Sequence, residues 1–196
     1  MDQVLQLLQL LRIKGRATAD TLAEVIGTEV TDVIDECVRS GLVEASRNGY
    51  RITDSGRKRV DELYADERER AETVILDVYE TFLPINDEVK QVVTDWQMRV
   101  VDGQIVLNDH QDRGHDDEVI ARLHEIDAKA TPALNSLTSA LPRFDSYARR
   151  LQRALAEVRR GDHTMVAAPI KDSYHTVWFE LHEDLLLLSG RQRTES

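Results

Sequence analysis

The sequence predicts a mostly α chain: a small N-terminal head of three helices and a β-hairpin, joined by a long helix to an all-α C-terminal body. Three observations predict it. Apolar residues recur at helical spacing along most of the 196 residues. The strongest hairpin signal, Asn48-Gly49 between two β-rich runs, falls near the end of the first third. From about residue 54 onward, turn-forming residues become rare and the apolar stripes lengthen.

Composition narrows the function classes. The chain is 41% apolar and 31% charged, with 25 basic and 36 acidic residues and a net charge of −11. This length buries a sizeable core and suits one domain or two small ones. No run approaches 18 apolar residues, and the opening MDQVLQLLQL lacks the basic n-region of a signal peptide, so a cytoplasmic chain with no membrane partner is expected. A single cysteine, Cys37, excludes an internal disulfide framework and a multi-Cys zinc site. An acidic chain is a poor non-specific ligand for nucleic acid, so any DNA contact must come from a local patch.

The elements follow in order. Val4, Leu5, Leu8, Leu10 and Leu11 form a first helical stripe that ends at Lys14-Gly15. Thr18 caps a second helix carrying Leu22, Val25 and Ile26, and Gly27 stops it. A third helix points Val30, Val33, Ile34, Cys37 and Val38 inward and closes at Gly41, and the hairpin follows around Arg47-Asn48-Gly49. Helix, helix, helix, hairpin is the winged-helix order, and it sets a boundary between a head of residues 1–65 and a body of residues 66–196. Residues 55–82 read as a connecting helix exposed at its charged run, Asp66 to Arg70, and stopped by Pro84. Further helices are expected at 86–101, 116–140 (kinked or split at Pro132), 143–160 and 171–189. A loop over 102–114, with a short strand at 104–107, separates the first two of these, and an irregular tail is expected at 191–196.

The segment SGLVEASRNGYRITDSGRKRVDEL, Ser40 to Leu63, resembles the wing and following helix of bacterial winged helix-turn-helix regulators of the MarR and PadR type. The resemblance covers about a third of the chain. The later segment DSYHTVWFELHEDLL, Asp172 to Leu186, is similar to a C-terminal stretch of uncharacterised actinobacterial winged-helix proteins. The resemblance implies a homodimeric transcriptional regulator that binds double-stranded DNA, with the third helix in the major groove and the wing on the neighbouring backbone. Carried onto this sequence, the DNA contacts are Arg16, Thr31, Arg39, Arg47, Asn48 and Arg51. The outward face of helix three is nevertheless acidic (Asp32, Asp35, Glu36), and the head holds 9 basic and 11 acidic residues, a net of −2. Carboxylates repel phosphates, so a head that docks a protein partner through this face, without DNA, is the alternative. Cys37 lies on the apolar stripe and reads as core packing, with redox sensing the competing role.

The body holds 16 basic and 25 acidic residues, a net of −9. On its last helix Tyr174, His175, Trp178, Phe179, Leu181, His182, Leu185 and Leu186 share one broad sector, with Ser173, Thr176, Glu180, Glu183 and Asp184 on the other side. His175 and His182, seven residues and about 10.5 Å apart, do not suit one metal ion, and no metal or cofactor is expected. Two readings of this face stay open. It lines a ligand pocket with Trp96 and Arg99 on the opposite wall, where Arg99 would favour a small anionic or aromatic ligand, or it is ordinary core. The stretch Leu107 to Glu118 lacks the calcium-loop order and reads as a solvated loop whose Asp116 and Asp117 favour the next helix start. No nucleophile elbow, P-loop, dinucleotide fingerprint or H-E-x-x-H is present, so no enzyme is expected.

Overall fold

The computed structural model describes residues 3–191; residues 192–196 of the expected tail lie outside the described residues. The order is α1 (Gln3–Lys14), α2 (Ala19–Ile26), α3 (Thr31–Arg39), β1 (Val43–Ser46), β2 (Gly49–Ile52), α4 (Asp54–Gln97), β3 (Met98–Val101), β4 (Gln104–Leu107), α5 (Arg113–Ala140), α6 (Asp145–Arg159) and α7 (Tyr174–Ser189). Short 3₁₀ turns at Pro142–Phe144 and His163–Met165 flank α6. The protein is mostly helical, and each β-hairpin is a separate two-stranded antiparallel sheet.

Local chemistry shapes the first 60 residues. The Thr18 hydroxyl accepts from the Thr21 amide at 3.2 Å and caps α2, and Gly27 ends it in the left-handed region. The first hairpin pairs Val43 with Ile52 and Ser46 with Gly49, leaving Arg47 and Asn48 as its two-residue turn. Ala17 adds a further bridge: its amide donates to the Tyr50 carbonyl at 3.2 Å and its carbonyl accepts from the Tyr50 amide at 2.8 Å. Gly49 is required beside it, because its φ is +116° and a Cβ there would lie 2.4 Å from the Ala17 oxygen. Val43, Ile52, Ile34 and Cys37 are buried together with α1.

The body departs from expectation in four places. Pro84 does not stop the connecting helix, and α4 extends past it from Asp54 to Gln97. Pro84 and Glu80 both face solvent, so the carbonyl that loses its amide partner turns to water. The departure from helical geometry lies instead at Ala71, just beyond Glu67 and Arg68, whose side chains are tied to Arg143 and to the Leu188 carbonyl. The middle of the charged run is not exposed either, since Glu67 is buried against that arginine. Residues 98–101, expected as the end of a helix, form β3 and pair with the strand at 104–107. Lastly, α5 begins at Arg113 and passes Pro132 as one helix.

Packing ties the two ends of the chain together. In α1 every residue from Leu5 to Leu11 is buried, glutamines included, because it packs against α2, α3 and β2 on one side and against α4 and α7 on the other. The expected boundary at residue 65 falls within α4. The opposite face of α7 is not solvated: Ser173, Glu180 and Asp184 are buried, while Phe179, expected inward, is 45% exposed. The reason is that α6 and the turn before it deliver two arginines onto that face.

Candidate functional site

Arg16, Thr31, Arg39, Arg47, Asn48 and Arg51 are all exposed. The Ala17–Tyr50 bridge continues the antiparallel register so that Arg16 stands opposite Arg51, and the Arg47–Asn48 turn lies at the far end of the same hairpin. Arg12 and Arg59 are held by Asp61 and Glu62 at 2.6 and 2.9 Å, whereas Arg16, Arg39, Arg47 and Arg51 make no ion pair among the described residues. Asp32, Asp35 and Glu36 form an exposed acidic face on α3 that is equally unpaired among them.

The last helix gathers its aromatic residues into packed core. The Trp178 indole stacks on Phe82 with ring centres 4.6 Å apart and donates to the Asn86 side-chain oxygen at 3.1 Å. The Tyr174 hydroxyl donates to Asp127 at 3.2 Å, and His182 packs against Phe82. His175 is half-buried, and burial pushes its pKa down. The hollow between Phe82, Leu134, Trp178 and Leu185 measures about 10 Å³, room for a single water. Arg99 is not beside this helix. It stands on β3, bound to Asp109 at 2.8 Å, with Asp112 at 3.8 Å.

On the polar side of α7 lies a buried ionic cluster. Arg143 donates from Nε to both Glu67 oxygens at 3.0 Å and from Nη2 to Asp184 Oδ1 at 3.0 Å, and Nη1 bonds Asp184 Oδ2. Asp184 also accepts from Tyr64 (2.7 Å), Gln9 (2.9 Å) and Tyr147 (3.0 Å). Burial works against the Arg143 charge, but the carboxylates of Asp184 and Glu67 more than offset this and hold it firmly protonated. Burial and the Asp184 charge push both tyrosines well above their ordinary pKa, so they stay donors. A triad of Arg150 with Asp172 and Glu180 continues the array, and Lys14 of α1 reaches Glu180. These contacts make the cluster a joint between α1 and the body.

Another opening in the body lies apart from this cluster. A cleft of about 980 Å³ lies where α4 ends, walled by Trp96, Asn108, His110 and Asp116 on one side and by His163 and Ala167 on the other. Trp96 fixes the geometry: its ring lies 4.5 Å from the His110 ring and 6.2 Å, edge-on, from that of His163. Asn108 organises the wall. Its side-chain nitrogen donates to the Trp96 carbonyl (3.1 Å) and to Asp116 Oδ1 (2.8 Å), and its oxygen accepts from the His110 amide (3.1 Å). That turn holds His110 at φ +57°, rare for a side chain of its size, and places its Nδ1 3.0 Å from Asp116 Oδ2. With Nδ1 engaged, Nε2 is the ring nitrogen available to an occupant. No cluster of three His, Cys, Asp or Glu suited to a metal ion occurs among the described residues.

Comparison with family models, with curated proteins and with solved structures finds no match to this chain. Among the described residues no helix is long and apolar enough to cross a membrane.

The expected site residues thus separate. Trp96 lines the cleft, whereas Arg99, Tyr174, His175, Trp178 and His182 do not. Asn108, His110, Asp116 and His163 are the cleft residues that spacing did not single out. The available signal was Asn108-x-His110, an Asx-type turn immediately before a helix capped by Asp112.

Proposed function

We propose that residues 1–65 are a winged helix-turn-helix head and that the chain is a bacterial DNA-binding transcriptional regulator acting as a homodimer. The observation that carries this reading is the group of unpaired cations on one hairpin: Arg47 at the turn and Arg51 on β2, with Arg16 opposite across the Ala17 bridge. Most arginines of the body have their charge spent on a carboxylate; these are exposed and open to phosphate oxygens. The order of three helices and a hairpin, with a single bridge from Ala17 to Tyr50, supports the fold half of the proposal. Thr31 and Arg39 at the two ends of α3 would stand near the groove, with Asn48 beside the backbone. Ligand response would enter at the cleft and travel along α4, which begins beside the hairpin and carries Trp96 in its last turn.

A second reading rests on Asp32, Asp35 and Glu36, an exposed acidic face suited to a basic protein surface and repelled by phosphate. One experiment separates the two. Fluorescence anisotropy with the chain's own upstream DNA over a salt series should show specific binding whose log–log slope is several units. Arg47→Glu with Arg51→Glu should abolish it. Absence of specific binding at low salt would refute the DNA reading and favour the protein-docking one.

A further inference from the structure

The β3–β4 hairpin carries an apolar face that the rest of the protein leaves bare. Its register sets Met98 opposite Leu107 and Val100 opposite Ile105, so these four side chains share one side of the ribbon. Val100, Ile105 and Leu107 are 70%, 74% and 77% exposed. Met98 and Leu107 also wall the cleft beside Trp96, so the bare face runs continuously into the opening. Ile170 is 98% exposed and lies two residues beyond Ala168 on the opposite wall. A lone two-stranded ribbon is marginal in water, and among the described residues no further strand pairs with its two outer edges, so the arrangement is suited to accept one.

Charge selects the occupant. From residue 98 to 118 the chain carries Asp102, Asp109, Asp112, Asp116, Asp117 and Glu118 against Arg99 and Arg113, six acids to two bases, a net of −4. Arg99 is already tied to Asp109. A second copy would bring the same −4 to the contact and be repelled, whereas a basic segment would be drawn in. We propose that the β3–β4 face and the adjoining cleft form a docking groove for an extended segment of another protein, alternating aliphatic with lysine or arginine side chains and added as a strand to this hairpin. The aliphatic side chains would cover Val100 and Ile105 and enter the cleft near Trp96, and the basic ones would meet Asp102 and Asp117. This inference stands independently of DNA binding by the head.

The test uses the full chain and a short fluorescein-labelled peptide alternating lysine with valine and isoleucine. Anisotropy should show saturable binding that weakens with salt, that is lost when glutamate replaces lysine, and that is lost when alternate peptide amides are N-methylated. Ile105→Asn and Val100→Asn, both at exposed positions and neutral in charge, should leave the melting temperature unchanged and weaken binding by about tenfold each. The proposal is overturned if the lysine peptide does not bind, or if Ile105→Asn binds it as well as the parent does. Equal binding of the N-methylated peptide would overturn strand addition. A parent dimer in sedimentation equilibrium that Ile105→Asn dissociates would assign the face to a second copy, and Ile105-dependent co-sedimentation with phosphatidylcholine vesicles would assign it to a lipid surface.

Discussion

Replacing Arg143 with methionine removes the cation from the joint while keeping much of its length. Glu67 then loses both of its Arg143 hydrogen bonds, its only ones among the described residues, in a site where it is 5% exposed. Asp184, fully buried, keeps Tyr64, Tyr147 and Gln9 as donors but loses its counter-charge. Stripping one partner from a buried pair costs about 3–5 kcal/mol, well above the ~0–1 kcal/mol of a surface pair. In a protein of this size that is a fall in Tm of roughly 6–20 °C. The double variant Arg143→Met, Glu67→Leu, which removes the orphaned acid, should recover much of the loss. Urea unfolding followed by circular dichroism at pH 7 measures both the loss and its recovery. A loss below about 1 kcal/mol at pH 7, or no recovery in the double variant, would refute the assignment of these residues as a buried, mutually dependent joint.

Two further predictions concern other elements. Burial pushes the Asp127 carboxyl upward, against the pull of the Tyr174 hydroxyl, His124 and Arg159, so folding favours its protonated form. Asp127→Asn should therefore be at least as stable as the parent at pH 7, with the difference closing as the pH falls through the carboxylate range; thermal melts that show a less stable variant at pH 7 would contradict this. Gly49→Ala should open the Ala17 bridge and cost about 1–3 kcal/mol in urea unfolding, and under the proposed DNA-binding function it should also weaken binding through the displaced Arg16. Gly103→Ala, also at positive φ but with nothing within 4 Å, serves as its control and should show only the local backbone cost, roughly 1–2 kcal/mol.

Local chemistry was legible in the sequence and long-range pairing was not. Thr18, Gly27 and Asn48-Gly49 act within a few residues of themselves, and the head's elements fall where those residues put them. Pro84 misled because its effect depends on which face of the helix it occupies, and here the face is solvent. The polar side of α7 read as solvated because periodicity describes one helix at a time. Asp184 and Glu180 are buried only because Arg143 and Arg150 arrive from α6 and the turn before it. Residues 98–101 read as helix because Met-Arg-Val-Val continues the preceding apolar stripe, and the strand depends on its partner at 104–107. The cleft was missed for a similar reason: Trp96, His110 and His163 come from three separate stretches of chain.

The burial of α1 on all sides has a consequence for how the protein is made. Gln9 bonds Asp184, 175 residues further along, and the leucines around it are covered partly by the same last helix. At ribosomal rates of about 5–20 residues per second, the first helix waits roughly 10–35 s for its final neighbour to be synthesised. During that interval the leucines of α1 stand without their lid, a surface of the kind holdase chaperones cover. The fold closes α7 onto α1, and a nascent chain stopped short of α7 would be left with that side of α1 uncovered.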